Sequence, residues 1–127
     1  MIDDKYYVGF EGEPEVVIYY KEKDMKKNGM KIWIGYFQYL LDASISNTIE
    51  NGGLVKNYMN QDGWYDESPW KIESLNEAIM ELSQFNSESV KSKEKSVVKK
   101  LPAIQKELIT FLKNAKINNK SVYVNYE

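Results

Sequence analysis

The sequence predicts an α+β protein: a small antiparallel sheet, made of an amino-terminal hairpin and a carboxy-terminal strand, packed against about three to four helices. Three observations carry this expectation. Two runs rich in aromatic and β-branched residues, 5–10 and 16–20, flank the turn-forming Glu11-Gly12-Glu13-Pro14-Glu15. Ser74-Leu75-Asn76-Glu77 is a capping box at the head of an amphipathic stretch. Ser121-Val122-Tyr123-Val124-Asn125-Tyr126 has the composition and partial alternation of a strand.

Taken in order, the two early runs form an antiparallel hairpin about the Gly and Pro turn. Residues 21–29 are charged and end in Asn28-Gly29, which reads as a second exposed turn. Met30-Lys31-Ile32-Trp33-Ile34 is then either a third strand or the lead into a helix. Residues 36–44 hold Tyr36, Phe37, Tyr39, Leu40, Leu41 and Ala43, an apolar density suited to a buried helix. Asn51-Gly52-Gly53 stops that helix, residues 54–60 have room for only a couple of helical turns, and a loop follows the Asp62-Gly63 break.

In the capping box, the Ser74 hydroxyl and the Glu77 carboxylate satisfy backbone donors that the first helical turn leaves open. Leu75, Ala78, Ile79, Leu82 and Phe85 line one face of the helix that runs to about residue 86. Residues 86–95 are mostly Ser, Glu and Lys without a strong apolar pattern, which predicts a mobile connection. Val97, Leu101, Ile104, Leu108, Phe111 and Ala115 resume helical spacing, with Pro102 either in the first turn or kinking a longer helix. The final strand needs a partner, and the amino-terminal hairpin offers an edge.

A length of 127 residues suits a single domain, 1–127, that buries a core without disulfides or metal. No apolar run is long enough to cross a bilayer. The opening Met1-Ile2-Asp3-Asp4-Lys5 is acidic where a secretory leader is basic, so a cytoplasmic location is expected, and zero cysteine fits a reducing compartment.

The chain has no histidine, no cysteine and no arginine; all 17 basic residues are lysine. Codon bias of an AT-rich bacterial genome accounts for part of this, but the chemical consequence is unchanged. The groups that most often catalyse, ligate transition metals or clamp phosphates are missing. Asp, Glu, Lys, Tyr and Ser need a shifted pKa or a neighbouring base to act near neutral pH, whereas a binding protein needs neither. No enzyme activity, metal or cofactor is therefore expected.

Charge is unevenly placed. Residues 32–88 carry nine acids against two lysines, net −7, and residues 89–121 carry nine lysines against two glutamates, net +7. Solvated helix faces explain such blocks most simply. The lysine stretch 91–106 lacks interleaved aromatics, and without arginine any contact with nucleic acid would be unspecific, so no direct nucleic-acid partner is expected.

Residues 57–70 concentrate aromatics, carboxylates and turn residues more densely than any other part of the chain. Tyr58, Trp64 and Tyr65 are candidate anchors, and Asp62, Asp66 and Glu67 candidate sources of negative potential. The plainer reading makes Trp64 and Trp70 core plugs, with the acids simply solvated. A calcium loop fails, because its first position would be Tyr58 and its closing acid Pro69. Asp66 and Glu67 are adjacent, a poor arrangement for two carboxylates that must flank one glycosidic bond.

The run Gly63-Trp64-Tyr65-Asp66-Glu67-Ser68-Pro69-Trp70-Lys71-Ile72, followed by a capped helix with Leu82 and Phe85, resembles small cytoplasmic immunity proteins of bacterial contact-dependent growth inhibition and other polymorphic toxin systems. The likeness covers about the central half of the chain. It implies a helical or α+β domain, monomeric or weakly dimeric, that neutralises a cognate toxin domain by covering its surface. Many such toxins are basic nucleases, which an acidic, aromatic surface would complement. The competing expectation is a binder of small ligands or sugars, or a minor enzyme, using the same loop 58–70 with Asp66 or Glu67 as general acid or base.

Overall fold

The computed structural model describes residues 1–44, 54, 69–90, 92 and 94–126. Its elements are β1 (Ile2–Tyr6), β2 (Glu15–Lys21), β3 (Lys27–Trp33), α1 (Ile34–Asp42), β4 (Trp70–Lys71), α2 (Leu75–Ser83), a 3-10 turn (Ser87–Ser89), α3 (Lys95–Ile117) and β5 (Tyr123–Tyr126). The α+β class is borne out: a five-stranded sheet, ordered β1-β3-β2-β5-β4, with three helices among the described residues.

The sheet is mixed rather than antiparallel, because β1 runs parallel to β3 while every other pairing is antiparallel. A hairpin does occupy the amino-terminal third, but β2 and β3 form it, turning through residues 22–26, where Glu22 N–H donates to the Lys26 carbonyl at 2.8 Å. The first expected strand is shorter and earlier, ending at Tyr6, and residues 7–14 become a loop. Burial explains the difference. Val16, Val17, Ile18 and Tyr19 are all buried, so β2 is covered on both faces and takes a central place. The Ile-Asp-Asp-Lys-Tyr strand suits an edge, where charge is tolerated.

That edge is also blunted. Lys5 N–H is taken by the Asp3 carboxylate at 3.1 Å, and the Asp4 carbonyl accepts from Tyr7 and Val8. Asn28-Gly29, expected as a turn, lies inside β3, and β3 passes into α1 with no intervening loop, so 30–34 is both strand and helix start. As expected, β5 pairs with the hairpin, Val16 opposite Tyr126 and Ile18 opposite Val124, and it also holds the two-residue β4 on its other side.

All three helices contribute to one core. Val16, Ile18, Met30, Ile32 and Val124 from the sheet meet Phe37, Leu40 and Leu41 of α1, Ala78 and Leu82 of α2, and six residues of α3. Five of those six are at the expected positions; the sixth is Leu112, whereas Phe111 turns sideways to stack on Tyr20 at 5.5 Å. The helix begins at Lys95, so Pro102 is interior, and it lies on the exposed side where the chain tolerates one missing ladder bond. The expected mobile connection over 86–95 includes the 3-10 turn, which Asn86 caps, with Glu88 N–H donating to Asn86 Oδ1 at 3.0 Å.

The Ser74 cap forms as expected, with Glu77 N–H donating to Ser74 Oγ at 3.2 Å. Its reciprocal half does not, since the Glu77 carboxylate bonds no Ser74 N–H, and its buried Oε2 has no hydrogen-bond partner among the described residues. Glu81, one turn further, is 3% exposed, and its Oε1 accepts the backbone N–H of the fully buried Leu54 at 2.6 Å.

At the β1 edge, Lys5 Nζ bonds Glu107 of α3 and lies 3.6 Å from Asp3. Tyr6 beside them is pushed well above the usual phenol range, first by burial and then by the Glu107 carboxylate. The same carboxylate raises the Lys5 ammonium. Both shifts have the same sign for stability. Each folded group keeps its proton to higher pH than its unfolded counterpart, so the stabilisation is complete below the unfolded pKa and is lost as pH rises through the folded one. The urea midpoint is therefore expected to fall from about pH 10 upward, and Tyr6→Phe to reduce that fall. A slope unaffected by the substitution would refute the assignment.

Candidate protein-binding surface

Residues 7–14 join β1 to β2 beside the start of α1, and their own bonds fix them. Gly9 and Gly12 hold positive φ of 98° and 94°, a backbone region that side chains disfavour. Phe10 N–H donates to the Tyr7 carbonyl at 3.0 Å, and Glu13 N–H to the Phe10 carbonyl at 3.0 Å. The Tyr7 hydroxyl donates to the Glu13 carbonyl at 2.8 Å and accepts from Gly12 N–H at 3.2 Å, crossing the loop. Ile34 N–H donates to the Pro14 carbonyl at 3.1 Å, tying the loop to α1.

Aromatic packing fixes its other side. Phe10 and Trp33 stack with ring centroids 4.1 Å apart and planes 7° from parallel. Tyr36 meets both edge-on, at 5.4 Å from Phe10 and 5.1 Å from Trp33. Trp33 Nε1–H donates to Glu13 Oε1 at 3.3 Å. Gly35 permits this arrangement, because a Cβ there would fall 2.3 Å from the Trp33 ring. Burial raises the Tyr36 hydroxyl above its usual range.

The loop itself is acidic: residues 7–15 hold Glu11, Glu13 and Glu15 and no lysine. Glu11 accepts Gly9 N–H at 2.9 Å, and bonds from its own backbone and from Gly9 hold its carboxyl below the usual range. That direction favours a permanent anion and disfavours a proton donor near neutral pH. Glu15 Oε2 lies 3.0 Å from Lys31 Nζ, and Lys31 sits 5.5 Å from the Tyr7 ring. Val8, 60% exposed, adds an apolar tip. Stacked aromatics therefore stand beside exposed carboxylates in this loop.

The sequence-derived candidates Tyr58, Asp62, Trp64, Tyr65, Asp66 and Glu67 all lie outside the described residues. The flanks of that segment are described. Trp70 is partly buried against the core as part of β4, in line with its reading as a core plug, and Glu81 fixes Leu54 from α2. Lys95, Lys99, Lys100, Lys106, Lys113 and Lys116 are exposed on α3, as the solvated-face reading expects. No cluster of metal-ligating side chains occurs among the described residues. No helix of the described residues is long and apolar enough to cross a membrane.

Sequence reasoning missed Tyr7, Phe10, Trp33 and Tyr36 as partners in one surface. The available signal was three glutamates in five residues between aromatic runs, read only as punctuation. Comparison with protein-family models, with curated proteins and with solved structures finds no match.

Proposed function

We propose that this chain is a cytoplasmic immunity protein that binds a cognate bacterial toxin domain, a nuclease with a basic surface, and neutralises it without performing chemistry of its own. The observation that carries the reading is the fixed acidic, aromatic surface around Phe10, Trp33, Glu11 and Glu13. Preorganised anions speed encounter with a basic partner, and a rigid loop loses little entropy on docking. Tyr58, Asp62, Trp64, Tyr65, Asp66 and Glu67 are proposed as the second part of the same interface.

The test is binding of the purified chain to the toxin domain encoded next to it, read by surface plasmon resonance with circular dichroism as the fold control. Glu11→Lys with Glu13→Lys is expected to slow association about tenfold at low salt and less at high salt. Trp33→Ala is expected to cost about 2 kcal/mol of binding, and Trp64→Ala with Asp66→Ala a comparable amount. If folded variants of both sets bound as tightly as the parent, or if no toxin domain were recovered with the chain from its host, the proposal would fail.

A further inference from the structure

We infer that the groove between α2 and α3 is a docking site for an acidic amphipathic helix of another protein, a surface separate from the acidic patch and independent of the toxin reading. The two helices run antiparallel. Lys116 Nζ donates to Asn76 Oδ1 at 3.0 Å near the start of α2, and Gln105 Nε2 donates to the Leu82 carbonyl at 3.1 Å near its end. Near the first of these ties a shallow groove of about 340 Å³ stays open, lined by Asn76, Ile79, Lys113, Lys116 and Ile117.

Its chemistry is one-sided. Among the described residues no acid lines it, and Ile117 is 76% exposed at one end. Met80, half exposed, follows Asn76 by one turn on the outer side of α2. Among the described residues, Lys5, Lys26, Lys31 and Lys120 lie within ion-pair distance of carboxylates, whereas the groove lysines, like others exposed on α3, do not. Lys113 has no hydrogen-bond or ion-pair partner among the described residues, and Lys116 reaches only a neutral amide. Two uncompensated cations beside an aliphatic floor match a helix with apolar residues three and four apart, flanked by Glu or Asp.

Other occupants fit less well. Nucleic acid would seek aromatic stacking, but Phe111 of α3 points away and stacks on Tyr20. A symmetric second copy would bring Lys113 and Lys116 against themselves.

Fluorescence anisotropy of the whole chain with a labelled synthetic peptide tests the assignment. The peptide has about five helical turns, with Leu at three and four spacing and Glu elsewhere, and a scramble of equal composition is the control. Saturable binding is expected in the range of about 10–100 µM. Lys113→Glu with Lys116→Glu is expected to weaken it at least about tenfold, and Ile117→Ser about fivefold. The charge-matched Lys95→Glu with Lys99→Glu should stay within about twofold. Thermal melts establish that each variant folds.

No saturable binding, equal binding of the scramble, or equal weakening by the charge-matched pair would overturn the inference. So would tighter binding of a single-stranded oligonucleotide, or self-association abolished by Lys113→Glu with Lys116→Glu, since each assigns the groove to a different partner.

Discussion

Substituting alanine at Gly29 is expected to lower stability by about 3 kcal/mol, read as a lower urea midpoint at unchanged m-value. A Cβ at that position would lie 2.0 Å from the Ile18 carbonyl oxygen and 2.7 Å from Tyr19 Cα. Both are main-chain atoms of β2, and β3 is held on its other side by β1, so neither neighbour can yield without disturbing the ladder. Gly12→Ala separates crowding from backbone strain. That glycine has positive φ but nothing within 4 Å of the added carbon, so about 1 kcal/mol is expected there. Equal losses at the two sites would show that crowding in the sheet is not what limits position 29.

Glu81→Ala is expected to cost about 3 kcal/mol by the same measurement, because it removes the acceptor of a buried amide and empties a packed site. Glu81 is 3% exposed, and its carboxylate takes the Leu54 N–H at 2.6 Å. Glu81→Gln keeps an acceptor oxygen and should cost about 1 kcal/mol. If the alanine variant were as stable as the parent, Glu81 would not be what anchors Leu54 to α2.

The two sites also differ in what the sequence reveals of them. The helix cap at Ser74 and the apolar stripe of α3 are legible because their partners are three or four residues away, and local spacing dictates the contact. The strand 123–126 is legible from composition, and its pairing follows because an isolated strand needs an edge. The parallel placement of β1 beside β3 was not legible. Composition marks both as strands, but their order depends on how deeply β2 is buried, which is a property of the assembled core.

Gly29 illustrates the same limit. Asn-Gly is a turn signal on its own, and only the approach of the β2 backbone shows why glycine stands inside a strand. The candidate surface was half legible. Glu11, Glu13 and Pro14 announce an exposed loop, yet Trp33 is 23 positions from Phe10, and nothing local says that their rings stack.

The position of β5 has a further consequence. Among the described residues it is the strand that joins β4 to the rest of the sheet, and it pairs with β2 along Val16 to Tyr19. Detaching those four residues would strip one side of β2 and leave Trp70 and Lys71 with no strand to hold them. Local opening at that margin therefore propagates across the molecule, and amides in β2 and β5 should share one opening free energy instead of fraying separately.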